Sequence, residues 1–190
     1  GVAGVVTGED FTFGKGRSGS PAVLQASGIP TRAVGAVELD GKPVSSSRIR
    51  EALKAGDCAE AARLLTRPFA IRGIVQHGDK RGRELGYPTA NVDLGSYLRP
   101  RYGIYAVLGR LADGRVVKGA ASLGIRPTFD PPKELFEPHF LDFSGEIYGQ
   151  EVEVELHRYL RGEQKFDSLA ALTAQIEADC RAARQALDGQ

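Results

Sequence analysis

The chain has no tryptophan and no methionine, and its 190 residues include only two cysteines and three histidines. Cys58 and Cys180 lie far apart with no CxxC spacing. That excludes a disulfide scaffold and a cysteine zinc site, and points to a reducing, cytoplasmic setting. His77, His139 and His157 never recur at i,i+3 or i,i+4, so no helical histidine pair is available for a metal. An excess of one charge is missing too. Lys and Arg number 25 against 24 Asp and Glu, a net +1, and aromatics make up only 7%. This argues against a basic nucleic-acid-binding barrel and against a membrane-surface protein. No apolar run approaches the roughly 20 residues that span a bilayer. No basic region followed by an apolar stretch opens the chain, so a signal peptide is not expected. No GxxxxGK[ST] sequence occurs, so any phosphate grip differs from a P-loop. With no Met even at position 1, and strand-like sequence almost at once, the chain reads as a piece of a longer protein.

What is present divides in two. Residues 1–66 offer short apolar runs at 2–6 and 33–37, then helices at 46–55 and 57–65. Asp57-Cys58-Ala59-Glu60 opens the second helix as a capping box with Asp in the Ser/Thr place. Two strands and two helices are too few to close an α/β sheet, so this half reads as an incomplete α/β domain. After Arg67-Pro68 the pattern becomes β. Strands are expected at 69–76, 103–111, 115–123, 136–143 and 151–156, with Asp113-Gly114 as a hairpin turn. In 151–156 the valines and Leu156 alternate strictly with three glutamates, the mark of a half-buried antiparallel strand. Leu169, Leu172, Ile176, Cys180, Ala183 and Leu187 then recur at helical spacing behind Asp167 or Ser168 as N-cap. The expected architecture of 67–190 is an antiparallel barrel with a helix packed on it.

Several segments carry candidate chemistry. Gly14-Lys15-Gly16-Arg17-Ser18-Gly19 fits GxGxxG, but Pro21 and the short run 22–27 leave little room for the helix that a dinucleotide site needs. A glycine-rich loop near a phosphate, or a plain surface loop, fits it better. Ser45-Ser46-Ser47-Arg48-Ile49-Arg50 places hydroxyls, free N–H groups and two arginines at a helix start, which is either an anion site or an ordinary serine N-cap. Residues 78–91 are the richest. Glycines at 78, 82 and 86 allow a backbone to approach a ligand, and Lys80, Arg81 and Arg83 favour an anionic one. Thr89 and Asn91 follow with neutral oxygens two residues apart, which suit a hard cation such as Mg²⁺ that also takes water and phosphate oxygens. Glu137 lies in an apolar strand-like run, facing solvent or kept for proton transfer. Alternation places Glu137, His139 and Leu141 on one face, and Phe136, Pro138, Phe140 and Asp142 on the other. Tyr159 to Phe166 is a charged connection leading into the last helix.

Taken in order, these segments resemble the riboflavin kinase module of the bacterial bifunctional riboflavin kinase/FMN adenylyltransferase (FAD synthetase) family. The resemblance rests on His77-Gly78 with Gly82-Arg83, on Gly86-Tyr87-Pro88-Thr89-Ala90-Asn91 and on Gly103-Ile104-Tyr105-Ala106. It continues through Gly124-Ile125-Arg126-Pro127-Thr128-Phe129, Glu137-Pro138-His139, Asp142-Phe143, Tyr148-Gly149 and Leu160-Arg161 to Lys165-Phe166. It implies a six-stranded Greek-key barrel that phosphorylates the 5′-hydroxyl of riboflavin, with ATP as co-substrate, FMN and ADP as products and Mg²⁺ as cofactor. Glu137 would be the base, and Thr89 and Asn91 would hold the metal. Gly78, Lys80, Gly82, Arg83 and Gly86 would surround the ATP phosphates, with His77 and Asp142 shaping the nucleotide site. Arg161 and Glu163 would belong to a flap over the flavin. Residues 1–66 resemble part of the adenylyltransferase domain, through Gly8-Glu9-Asp10-Phe11-Thr12-Phe13-Gly14 and the Ser45–Arg50 segment. The His-x-Gly-His motif of that superfamily is missing, so this chain is not expected to adenylylate FMN, although an intact parent would be. The alternative readings are a flavin- or nucleotide-binding module without catalysis, and a nucleic-acid-binding β-barrel with Lys80-Arg81-Gly82-Arg83 as its phosphate contact.

Overall fold

The computed structural model describes residues 1–77, 86–126 and 133–188. The chain forms two compact units, Gly1–Ser45 and Ser46–Gln190.

In the first unit β1 (Val5–Gly8) pairs in parallel with β2 (Thr31–Val34), and α1 (Pro21–Ala26) lies between them in sequence. A parallel pair needs such a crossover, which a hairpin turn cannot supply. A small hairpin of β3 (Glu38–Leu39) and β4 (Lys42–Pro43) turns at Asp40 and Gly41, both with positive φ. The Gly14–Gly19 run is a closed loop. It makes one 3-10 turn at Lys15–Arg17, and a bridge between Phe13 and Gly19 shuts it. The helix starts only at Pro21, after Ser20. A dinucleotide fingerprint needs a strand running straight into a helix, and this loop lacks that geometry.

The second unit begins with α2 (Ser46–Ala55) and α3 (Cys58–Leu65), separated by Gly56 at φ 81°. Asp57 caps α3, its Oδ1 accepting the Glu60 N–H at 2.9 Å. Six strands follow: β5 (Phe69–Gln76), β6 (Asn91–Val92), β7 (Gly103–Arg110), β8 (Val116–Arg126), β9 (Lys133–Phe140) and β10 (Glu151–Arg161). They close into an antiparallel barrel in the Greek-key order β5-β6-β9-β8-β7-β10. Its interior is filled by Ile71, Val75, Val92, Tyr105, Val107, Leu123, Phe136, Phe140, Val152, Val154 and Leu156. The C-terminal helix α4 (Leu169–Leu187) is capped by the Ser168 hydroxyl and lies on the outer wall. Its Ala183 and Leu187 pack on Ala106 and Ala120, whose small side chains let the helix approach the sheet. Among the described residues no helix is long and apolar enough to cross a membrane.

Three departures from the sequence expectation bear on the barrel's site. β6 is only two residues long, too short to leave a periodic pattern. β10 runs on to Arg161 because irregularities at Leu156/Arg158 and Tyr159/Arg161 shift its register, which hides the extension from an alternation count. β9 ends at Phe140, and Asp142 sits beyond it at φ 54°. Asp142 therefore does not share a strand face with Phe140, and its apparent mismatch is the end of the strand.

The helix pair packs on the barrel's own elements. Ala52, Leu53 and Ala61 form a cluster with Ile49, Phe69 and Leu98, and the Arg101 N–H donates to the Leu53 carbonyl at 2.9 Å. Cys58 reaches the barrel's core cluster, and burial pushes its thiol up to about 11. Thiolates are the reactive form, so Cys58 is expected to resist a thiol reagent at pH 8. A Cys180→Ser chain should then show no fast-reacting thiol until denatured. Rapid native labelling of that variant would contradict the burial of Cys58.

Candidate functional site

Strand register brings the candidate residues together. Ser122 of β8 faces Glu137 of β9, and Ile104 of β7 faces Ser122. Val92 of β6 faces Phe136, and Gln76 of β5 faces Asn91. Antiparallel pairing continues one residue along, setting Asn91 opposite Glu137. Directly opposed residues share a face of the sheet. Phe136, Val92 and Leu123 point into the core, so their neighbours Glu137, Asn91 and Ser122 point outward. Gln76, Asn91, Glu137, Ser122 and Ile104 thus form one row across the outside of the barrel. The cation-binding candidate and the carboxylate lie side by side in it.

The Pro88–Asn91 turn is fixed to β9. The Ala90 N–H donates to the Pro138 carbonyl at 2.8 Å. His139 Nδ1 lies 2.7 Å from the Pro88 carbonyl, which can only accept, so Nδ1 carries the proton. The Tyr87 ring meets the His139 ring edge-on at 5.5 Å. Ala90 and Val92 are buried, and Thr89 and Asn91 between them are half-buried. The Asn91 amide shares the outward face with Glu137, and Thr89 stands two residues before it at the barrel rim. Neutral oxygens there, beside a carboxylate, fit a Mg²⁺ that takes its other ligands from phosphate and water.

Thr89 also lines a cleft of about 230 Å³ at the barrel rim, together with Val75, Phe140, Phe143, Ile147 and Tyr148. The His77 ring lies against Tyr148 with 3.9 Å between centroids and the planes tilted by 31°. Ligand pockets commonly enclose about 300–1,000 Å³, so this cleft is smaller than a typical site for a whole ligand. Gly86, at φ 83°, adopts the left-handed conformation that glycine favours. Gly78, Lys80, Arg81, Gly82 and Arg83 lie outside the described residues.

Two expected ligand contacts are engaged elsewhere. Asp142 accepts from Arg184 of α4 at 2.6 and 3.2 Å, and this pairing holds its carboxyl below the usual carboxylate range. It does not line the cleft, which is bounded by its neighbours Phe140 and Phe143. Arg161 gives Nε and one terminal nitrogen to Asp179 of α4 at 2.8 and 2.6 Å. Glu163 stands against Gly124 of β8, where any Cβ would collide with its carboxylate. Gly124 is two residues from Ser122 on the same outward face, so Glu163 lies beside the row that holds Glu137.

Sequence reading missed a second set of residues. Glu134 accepts from Tyr102 at 2.6 Å and from Arg99 at 2.8 Å. Burial works against its ionisation, but these two donors overcome that and hold its carboxyl low, while the same hydrogen bond raises Tyr102. This network anchors the start of β9 three residues before Glu137. Asp179 was missed although a signal existed. It falls on the apolar stripe of α4 between Ile176 and Ala183, and a charge there requires a buried partner.

The Flavokinase (riboflavin kinase) family profile matches residues 65–187. The chain belongs to the riboflavin kinase family. It is 44% identical over 93% of its length to a bifunctional riboflavin kinase/FMN adenylyltransferase of Haemophilus influenzae, covering 59% of that protein. A protein of the same name from Pseudomonas fluorescens is 45% identical, over 97% of this chain and 60% of its own length. The chain thus spans about 59% of the length of the curated relatives it matches. A solved structure described as a macrolide-efflux protein from Streptococcus pneumoniae superposes with a TM-score of 0.81 and 36% identity, over 93% of this chain and 58% of the other. As a riboflavin kinase family member, the chain carries the family's match across the whole barrel and α4.

Proposed function

We propose that the barrel transfers the γ-phosphoryl group of ATP to the ribityl 5′-hydroxyl of riboflavin, giving FMN and ADP. One observation carries this reading. Asn91 and Glu137 are directly opposed on the barrel's outer face, beside a Thr89-lined cleft. Phosphoryl transfer asks the protein for charge neutralisation, in-line placement and a proton acceptor, with little covalent chemistry.

Glu137 accepts the proton of the attacking hydroxyl. Thr89 and Asn91 would hold a Mg²⁺ that neutralises the polyphosphate. The cleft takes the adenine ring, with His77 behind Tyr148 as its support. Glycines 78, 82 and 86 bring backbone to the phosphates, and Lys80, Arg81 and Arg83 add charge. Glu163, set over Gly124, faces the flavin side. Residues 1–66 are read as part of an adenylyltransferase-like domain, with 67–190 as the kinase domain. The parallel β1–β2 pair and the relatives' bifunctional names support this, and FMN adenylylation is read as an activity of a longer parent.

Incubation with riboflavin and Mg-ATP, followed by chromatography for FMN, tests the reaction. Thr89→Val keeps the shape and removes the oxygen. A hydrogen bond or ligand contact to a charged group is worth ~1.5–3 kcal/mol, so KM for Mg-ATP is expected to rise roughly 10–100-fold. The Mg²⁺ requirement should shift upward with it, and an unchanged Mg²⁺ titration would contradict metal ligation at Thr89.

A further inference from the structure

Arg161 and Asp179 form an ion pair with every group of the fork engaged, and the proposed reaction leaves it unexplained. Asp179 is 7% exposed on the core-facing side of α4. Both of its oxygens accept from the Arg161 fork, at 2.8 and 2.6 Å, and Gln175 donates to Oδ1 at 3.0 Å. The remaining Arg161 nitrogen donates to the Gly162 carbonyl at 2.9 Å. The guanidinium also lies over the Phe166 ring at 5.9 Å. Its fork is therefore spent within the protein, and it is not offered to an incoming ligand.

The geometry points to Asp179 as a positioning residue for the acceptor side of the kinase site, acting through Arg161 on Glu163. This rests on the riboflavin kinase reading. Arg161 ends β10, and its carbonyl is packed against Gly103, whose φ of 148° and missing side chain allow the approach. From that fixed point one guanidinium grips both sides of the 162–166 connection, the Gly162 carbonyl and the Phe166 ring. Glu163 lies between them and is delivered onto Gly124, beside the row containing Ser122 and Glu137. The opposite end of that row, at Asn91 and the cleft, has no contact with α4 through this pair. Loss of the pair should therefore be felt by the flavin and not by the nucleotide.

The experiment measures FMN formation with riboflavin and Mg-ATP varied separately, for wild type, Asp179→Asn, Glu163→Gln and the double variant. Asp179→Asn is expected to raise KM for riboflavin roughly tenfold or more while KM for Mg-ATP stays within about twofold. Because Asp179 acts through Glu163, the double variant is expected to be no worse than the worse single. Gly124→Ala displaces Glu163 with the ion pair intact, and should give the same riboflavin-selective rise even if Asp179→Asn does not fold. Equal changes in both KM values, multiplying losses in the double variant, or an unchanged riboflavin KM in Gly124→Ala would overturn the assignment. Wild-type turnover separates the two claims. Turnover without the selectivity sinks the positioning role alone, and no FMN from wild type sinks both.

Discussion

Glu137→Gln is expected to lower kcat for FMN formation by roughly 10²–10⁴-fold, the usual contribution of a general base. The substitution keeps the size and the hydrogen-bonding reach of the side chain and removes only its basicity. Glu137 lies on a wall built for rigidity. Its strand neighbours Phe136 and Pro138 are fully buried, and β8 and β6 flank it on either side. The Arg99–Glu134–Tyr102 network fixes the start of the same strand. The variant should fold normally and bind Mg-ATP with little change, so the loss should fall on turnover. A variant with near-normal kcat would remove Glu137 from the base role. A comparable loss of Mg-ATP affinity would instead make it part of the nucleotide site.

The second large effect concerns α2 and α3. A chain beginning at Ser46 is expected to melt like the full chain and to form FMN. One beginning at Arg67 is expected to lose its cooperative transition or to melt far lower. The reason is burial. Leu53 at 2% exposure and Ala61 at 0% are buried in a cluster with Phe69 and Leu98 of the barrel unit, and Leu64 is buried at 5%. Cys58 enters the barrel's own core cluster. Each buried leucine contributes ~1.5–3 kcal/mol, against a total stability of ~5–15 kcal/mol for a domain. The backbone ties are lost as well, because Arg101 bonds the carbonyls of Leu53 and Ala55. Its guanidinium also lies over the Tyr159 ring at 4.6 Å. Coincident melting curves for the two shortened chains would show that the helix pair is dispensable.

That contrast marks where sequence reading stops. The helices at 46–55 and 57–65 were legible because a serine-rich start, a capping box and Gly56 are local signals. Which body they pack on was not, because that depends on contacts from Leu53 and Cys58 to residues far along the chain. The boundary at Arg67-Pro68 follows a change from helix to strand, while the compact units part at Ser45. In the barrel, turn signals and alternation found five strands, and the sixth came only from the family resemblance. β6 is two residues long and is held by its neighbours alone, yet it carries Asn91. Glu137, Thr89 and Asn91 could be named as candidates from residue type. Their adjacency is a matter of register between β6 and β9, with more than forty residues between them in sequence. Asp142 shows the reverse case. Alternation extended β9 too far, and a left-handed turn had already taken that carboxylate to Arg184. Asp179 was overlooked inside an apolar stripe, where its charge was itself the clue.

The most direct test of a kinase site on the outer face of this barrel is single-turnover FMN formation by wild type and Glu137→Gln at saturating Mg-ATP. The account predicts conversion of riboflavin to FMN by wild type, and a rate at least about 100-fold lower in the variant with nucleotide binding intact. No FMN from the wild-type chain, or equal rates from the two, would contradict it.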